Sequence, residues 1–396
     1  MNMSILSVLV AAPFVIALYA YVVYPASLWA VSRLVLRRPY PNSMSEWPLV
    51  TVTVPVYNSG AVIAATLERL LDVDYPRDRL QIIVLSDAST DATDDIVRSF
   101  APRGVELVRM SARRGKTAME NAAAHIAKGD IIVNVDSSIL IPRDSFKPLI
   151  ASFADPTIGV ASGCDVSVAA GFEEKTKAEA GYVNYEMWLR GLETRLGTIV
   201  GASGCFYGIR RIVHAVSLPS DLSWDFASAL AARKLGLRSV SVPEATCMVP
   251  RAPHLETELR RKVRTMARGI RTLFYYRELL NPFAYGRFAG MLLSHKLLRW
   301  LPYLFLPIAA AALVAMSFQS VVARYVVAVA ATIALAGWSG IRNQRATTLK
   351  PFALAAFGTA ALFAGFLAWV EALRHAQTAT WEPTRRKDAL ARSPSA

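Results

Sequence analysis

Three aspartates stand where a carboxylate can do chemistry. Asp87 lies in Leu85-Ser86-Asp87-Ala88-Ser89-Thr90-Asp91, after a buried-type strand and before a helix. There it can accept hydrogen bonds from a base or a ribose, or serve as a turn residue or helix cap, as Ser89, Thr90 and Asp91 also could. Asp136 ends the run Ile131-Ile132-Val133-Asn134-Val135-Asp136-Ser137-Ser138. A carboxylate after such a strand suits Mg2+ or Mn2+ bridging two phosphates, because Mg2+ takes only one or two carboxylates beside water and phosphate oxygens; capping a turn is the alternative. Asp225, in Ser223-Trp224-Asp225-Phe226, opens a helix running to about Lys234. The helix dipole favours a carboxylate there, so capping competes with a role as general base for an attacking hydroxyl. Arg113-Arg114-Gly115-Lys116 precedes a helix with Asn121. Basic groups and N–H groups at a helix start suit a phosphate, and a solvated charged turn is the other possibility. The segment is not a Walker A motif, which needs G-x-x-x-x-G-K-S/T. Displacing a nucleoside diphosphate requires the diphosphate neutralised, the nucleoside held and the acceptor hydroxyl deprotonated; these residues offer a candidate for each task.

The elements that would position them follow from hydrophobic periodicity. Leu49–Val54, Gln81–Leu85, Val105–Arg109 and Ile131–Val135 read as strands. Ala61–Leu71, about Asp91 to Phe100, and Thr117–Ala127 read as helices between them. Such alternation predicts a mostly parallel α/β sheet, which binds ligands at the carboxyl ends of its strands. Asp87 and Asp136 both lie just past such ends.

With 396 residues, the chain exceeds one ordinary domain. Apolar residues make up 54% and charged residues 19%, a skew that membrane insertion explains. Residues 5–31 carry no charge and are long enough to span a bilayer. No basic residue precedes the run, which is too long for a signal peptide's apolar core. Arg33, Arg37 and Arg38 follow, so the positive-inside rule places the N-terminus outside and the next domain in the cytosol. Residues 298–316, 321–340 and 351–373 are three further apolar segments. Arg342, Arg345 and Lys350 suit a cytosolic loop, whereas Arg385, Arg386 and Lys387 would then lie outside, against the rule, unless one segment is re-entrant or interfacial. Glu258–Tyr275 sets Leu259, Val263, Met266, Ala267, Ile270, Leu273 and Phe274 on one helical face and Arg260, Arg264, Arg268 and Arg271 on another. That is the pattern of an interfacial amphipathic helix or of a basic-faced soluble one. The net charge of +14 suits anionic lipid and phosphate-bearing substrates. Nucleic acid is not an expected partner, because the basic residues cluster beside the apolar segments. No charge sits in mid-span, which argues against a transport pathway. Cys164, Cys205 and Cys247 lack the spacing of a zinc site or disulfide framework.

Taken together, the chain resembles a membrane-bound family 2 glycosyltransferase with the GT-A fold, the group that includes cellulose, chitin and hyaluronan synthases. The resemblance runs through Val54-Pro55-Val56-Tyr57-Asn58, Ser86-Asp87-Ala88-Ser89-Thr90-Asp91, Arg114-Gly115-Lys116 and the Asp136 strand end. It continues in Gly201-Ala202-Ser203-Gly204, Ile209-Arg210-Arg211, Trp224-Asp225-Phe226 and Val242-Pro243-Glu244-Ala245. It implies that Pro55, Tyr57, Asn58, Asp87, Arg114, Lys116 and Asp136 bind a nucleotide-sugar donor. It also implies that Asp136 holds Mg2+ or Mn2+ and that Asp225 is the base of an inverting displacement. Gly204, Trp224, Arg261 and Arg264 fall on the acceptor and diphosphate side. The acceptor would be a membrane-associated saccharide or lipid-linked molecule in polysaccharide or glycoconjugate synthesis, with polyprenyl phosphate as an alternative. Partners in a polysaccharide assembly fit the same resemblance. A non-catalytic scaffold of such an assembly is the competing class, motivated by the first three of four departures. Ser59 stands where relatives often have Glu; the family's D-x-D is Asp136-Ser137-Ser138; the acidic pair before the catalytic helix is Trp224-Asp225; and Arg261-Lys262-Val263-Arg264-Thr265 replaces Gln-x-x-Arg-Trp. The last favours adding one or a few sugars over long polymers. Trp381-Glu382-Pro383-Thr384-Arg385 resembles an element found near the cytosolic face in relatives.

The expected organisation is a transmembrane anchor with basic flank (1–38), a cytosolic GT-A domain (39–250), an amphipathic interfacial region (251–297), three membrane segments (298–373) and a basic tail (374–396). This describes a multi-pass protein of the inner cell membrane.

Overall fold

A computed structural model describes residues 2–35, 40–168, 175–250, 255–342 and 350–374. Arg37, Arg38, Arg345, the basic tail and its Trp381–Arg385 element lie outside the described residues. Among the described residues the chain divides into two compact units, one within 28–250 and the other made of 2–27 with 255–374.

The first of these is built on seven strands: β1 Val50–Val56, β2 Leu80–Ser86, β3 Val105–Arg109, β4 Ile131–Val135, β5 Ile158–Val168, β6 Phe206–Arg210 and β7 Arg238–Pro250. They lie in the order β3-β2-β1-β4-β6-β5-β7. All neighbours are parallel except β6, which runs against β4 and β5. β1 is central and buried along its whole length, which is why its alternate positions are Val rather than polar residues. Thr51 and Thr53, buried with it, donate to Gln81 Oε1 and Asn134 Oδ1, each at 2.7 Å.

The strand order reverses between β1 and β4, and ligand crevices open at such reversals. β1 pairs with β2 as far as Val56↔Ser86 but with β4 only as far as Thr53↔Asn134. The carboxyl ends of β1 and β4 therefore part. Val56 C=O accepts the Asp87 N–H at 2.9 Å and so faces β2, which turns the adjacent Pro55 toward β4. There the ladder has already ended, so the ring nitrogen, which cannot donate, interrupts no pairing.

Three helices, Met3–Ser32, Arg287–Ser317 and Val321–Gly340, are long and apolar enough to cross a membrane, and Gly358–Leu373 is a shorter apolar stretch. The helix expected to start at 298 begins at Arg287, because a π-helical turn at Leu293–Leu297 carries it through. In Lys350–Leu373, buried alanines recur every fourth residue at 356, 360, 364, 368 and 372. Small residues let helix backbones approach closely, and a Cβ on Gly337 would clash with Thr359 Oγ1.

On the apolar stripe of helix Leu255–Tyr275, Ala267 and Ile270 pack with Ala368, Trp369 and Ala372, against Trp300, Leu301 and Leu304, while Phe274 is half exposed. The expected head-group face differs, since Arg268 and Arg271 are buried. The helical period was legible, but the elements that cover the stripe are remote in sequence and no local pattern names them.

Candidate active site

The site grows from the ends of β2 and β4. Asp87 follows β2 and is fully buried. Its Oδ1 accepts the Arg114 N–H at 2.7 Å and its Oδ2 the Gly115 N–H at 2.9 Å. Asp87 thus ties the β2 end to the basic loop, with both oxygens engaged by backbone. Gly115 has φ 86° and ψ 166°, a conformation essentially confined to glycine, and it starts helix Lys116–Ile126. The loop next to it is strained as well: Asn58 (φ 48°) and Ala88 (φ 57°) both adopt positive φ. Asn58 is held there by Thr90, whose N–H donates to Asn58 Oδ1 at 2.8 Å, and by its own N–H donating to Ser89 Oγ at 3.1 Å.

Lys116 is brought onto Asp136. Its Nζ lies 2.6 Å from Asp136 Oδ1, donates to the Gly204 carbonyl at 3.1 Å and stands 3.9 Å from Glu120 Oε1. Burial alone would lower the Lys116 pKa, but the charges of Asp136, Glu120 and Asp225 and the hydrogen bond to Asp136 hold it above its ordinary value. Glu120 is buried and accepts the Tyr207 hydroxyl at 3.3 Å. Asp136 Oδ2 accepts no hydrogen bond from the described residues. Among those residues no group of three His, Cys, Asp or Glu is arranged to hold a metal. The donor set for a cation is thus one carboxylate oxygen, which fits Mg2+ or Mn2+ only where phosphate oxygens and water complete the shell.

Asp225 sits in the first turn of helix Trp224–Lys234. Its Oδ1 accepts the Phe226 N–H at 2.9 Å and the Ser223 hydroxyl. Capping is therefore real, but it occupies one oxygen. Oδ2 faces Gly204 and accepts no hydrogen bond among the described residues. A Cβ on Gly204 would lie 3.0 Å from that oxygen, so only glycine leaves the carboxylate its place. Gly204→Ala is expected to slow turnover about tenfold by moving the carboxylate a few tenths of an ångström, with the melting temperature unchanged. Kinetics of the variant beside a melting curve would check this, and wild-type turnover would refute it.

Trp224, expected on the acceptor side, is instead packed away. Its indole is 2% exposed, donates from Nε1 to Asn121 Oδ1 at 2.9 Å, and stacks on His214 at 4.9 Å and 13°. The family resemblance puts this indole on the acceptor side; in the structure it ties helix Trp224–Lys234 to helix Lys116–Ile126. Burial pushes His214 down to about 4 from 6.5, and neither ring nitrogen has a partner among the described residues. Because the folded pKa lies below the unfolded one, the associated stability is complete above pH 6.5 and is lost as pH falls toward 4, about 3 kcal/mol in all. His214→Phe keeps the stack and is expected to abolish that acid loss. Denaturant unfolding at neutral and acid pH measures it, and an equal loss in the variant would sink the assignment.

Pro55, Tyr57 and Asn58 lie at the β1 end, as expected. Arg113 was not singled out from its neighbour, yet its guanidinium lies 3.7 Å from the Tyr57 ring centroid, while the Arg114 side chain is exposed. Only the doubled arginine hinted at it. Arg261 and Arg264, half-buried on helix Leu255–Tyr275, belong to the other unit.

Residues 51–216 match Glycosyl transferase family 2. The match includes Asp87, Lys116, Asp136 and Gly204 and stops short of Asp225. A solved mannosyltransferase from Pyrobaculum calidifontis, in complex with GDP-Man and Mn2+, is similar over 94% of this chain and 98% of that one, with a TM-score of 0.71 and 25% identity. An N-acetylglucosaminyltransferase of Rhizobium meliloti is 28% identical over 64% of this chain and 65% of its own length. A beta-monoglucosyldiacylglycerol synthase of Synechocystis sp. is 32% identical over 30% of this chain and 25% of its own. The chain spans between 24% and 65% of the length of the curated relatives it matches. Residues 51–216 are a glycosyl transferase family 2 domain, and the α/β sheet of GT-A type expected from the sequence is the fold it has.

Proposed function

We propose that the chain transfers a sugar, with inversion, from a nucleotide-sugar donor to a membrane-associated acceptor hydroxyl on a saccharide or lipid. The observation that carries this is the open Oδ2 of Asp225 beside Gly204, whose carbonyl also binds the ammonium paired with Asp136. In the reaction, Asp225 Oδ2 takes the proton of the acceptor hydroxyl as its oxygen bonds to the sugar's anomeric carbon. The bond from that carbon to the diphosphate breaks on the opposite face. Lys116 stabilises the charge that develops on the leaving diphosphate, from a fixed position and at low dielectric, where such stabilisation is strongest. Asp87 acts through the backbone it holds, keeping the Arg114–Lys116 segment in place for the donor. Mg2+ or Mn2+, held by Asp136 together with the donor's phosphates, would add positive charge at the diphosphate.

The relatives support the class: one is solved with GDP-Man and Mn2+, and another is named for a diacylglycerol product. Three membrane-length helices and Arg33 after the first support a multi-pass protein of the inner membrane with this domain in the cytosol. The test is to purify the chain in detergent, titrate UDP-, GDP- and dTDP-sugars with Mg2+ or Mn2+, and follow binding and nucleotide release with lipid extract as acceptor. Failure to bind any nucleotide sugar would overturn the proposal in favour of a non-catalytic scaffold.

A further inference from the structure

Asp165, on β5, has no part in the reaction as described. β5 and β7 set it opposite Cys247, whose thiol approaches its Oδ1 at 3.3 Å. The same oxygen accepts the Ser203 hydroxyl at 2.5 Å. A hydroxyl has one proton. Once Ser203 has given it to Asp165, its oxygen can only accept, and it receives the N–H groups of Cys205 at 3.1 Å and Phe206 at 3.3 Å. The Ser203 N–H donates to Ser162 Oγ at 2.8 Å, so the segment is pinned from both sides.

Residues 202–205 touch Lys116, Asp136 and Asp225. Gly204 C=O binds Lys116, Cys205 C=O accepts the Asp136 N–H at 3.0 Å, and Ala202 N–H donates to the Asp225 carbonyl at 3.0 Å. Gly204 also packs on the Asp225 carboxylate. Burial raises the Asp165 pKa above the ordinary range, against lowering by Ser203 and Arg190, and the charge of Asp136 adds to the rise.

We infer that Asp165 is a positioning residue for sugar transfer: by fixing the direction of the Ser203 hydroxyl it holds segment 203–205, which keeps Lys116, Asp136 and Asp225 in mutual register. The inference rests on the proposed transferase activity. It requires only an acceptor oxygen at position 165. An amide oxygen supplies one and an alanine does not.

The test compares Asp165→Ala, Asp165→Asn, Ser203→Ala and the double variant Asp165→Ala/Ser203→Ala in the full chain. Each alanine variant is expected to lower kcat about tenfold with KM for the donor unchanged, since small misplacements at a reacting centre act on turnover. The asparagine variant should restore kcat, and the double variant should lose no more than either single one, because both cut the same tie. Losses that multiply in the double variant, or a change in KM alone, would overturn the inference. Should Asp165→Ala not fold, Ser203→Ala, which removes one oxygen, still carries the test. Alkylation of Cys205 by iodoacetamide, read by mass spectrometry, is independent of turnover. It should be faster in both alanine variants and unchanged in the asparagine variant, and equal rates in all forms would overturn the tie. Absence of turnover in the wild-type chain would instead count against the proposed function, leaving the alkylation rates to decide on Asp165.

Discussion

Asp225→Asn is expected to bind the nucleotide sugar as the wild-type chain does and to release nucleotide at least about 10²-fold more slowly, the low end for losing a general base. Asparagine can present an oxygen to the Phe226 N–H and the Ser223 hydroxyl, as Asp225 Oδ1 does, so the first turn of the helix stays capped. It has nearly the same volume, so the contact with Gly204 survives. What it lacks is basicity at the atom that faces Gly204. In the proposed reaction the donor is held by Lys116, Asp136 and the loop tied to Asp87, none of which hydrogen-bonds to the Asp225 side chain. The prediction therefore separates binding from turnover, and titration of the donor beside a nucleotide-release assay measures both. Unchanged release would reject Asp225 as base and point to an acceptor that is already anionic, such as a lipid phosphate, which needs no deprotonation.

The parts of this site that were legible in the sequence are those that depend on local pattern. Asp87 and Asp136 follow apolar β-type runs, and strand ends in a parallel sheet face the ligand crevice. Asp225 stands at a helix start, where the dipole favours a carboxylate. What local pattern could not give is direction. Whether Trp224 faces a ligand or the core depends on Asn121 and His214, which lie on two other helices. Whether Asp87 reaches a nucleotide depends on the backbone of residues 114 and 115, which closes over both its oxygens. Asp165 was invisible because its meaning comes from the register of β5 with β7 and from Ser203, none of them near it in sequence. The partners of the Leu255–Tyr275 stripe were hidden for the same reason: period predicts amphipathicity, but lipid and a protein helix are equally apolar partners.

The same dependence on long-range pairing makes Lys116 the residue whose loss should cost most. Its ammonium is the counter-charge for two carboxylates from different elements, Asp136 after β4 and the buried Glu120 one helical turn on. Removing one partner of a buried pair leaves the other charge uncompensated, at a cost of about 3 kcal/mol. Lys116→Met, which keeps the side-chain volume, is expected to destabilise the chain by about that amount. It should also weaken donor binding about 10- to 100-fold, the worth of one charge-assisted hydrogen bond to a phosphate. The two effects have different origins and can be parted. In Lys116→Met/Glu120→Gln the buried uncompensated charge is gone, so the melting temperature should recover most of its loss. Donor binding should not recover, because no cation has been returned to the diphosphate. Thermal melts and calorimetric titration of the donor on the single and double variants decide the matter. A double variant that binds the donor as tightly as the wild-type chain would show that Lys116 serves only to neutralise Glu120 and Asp136 within the fold.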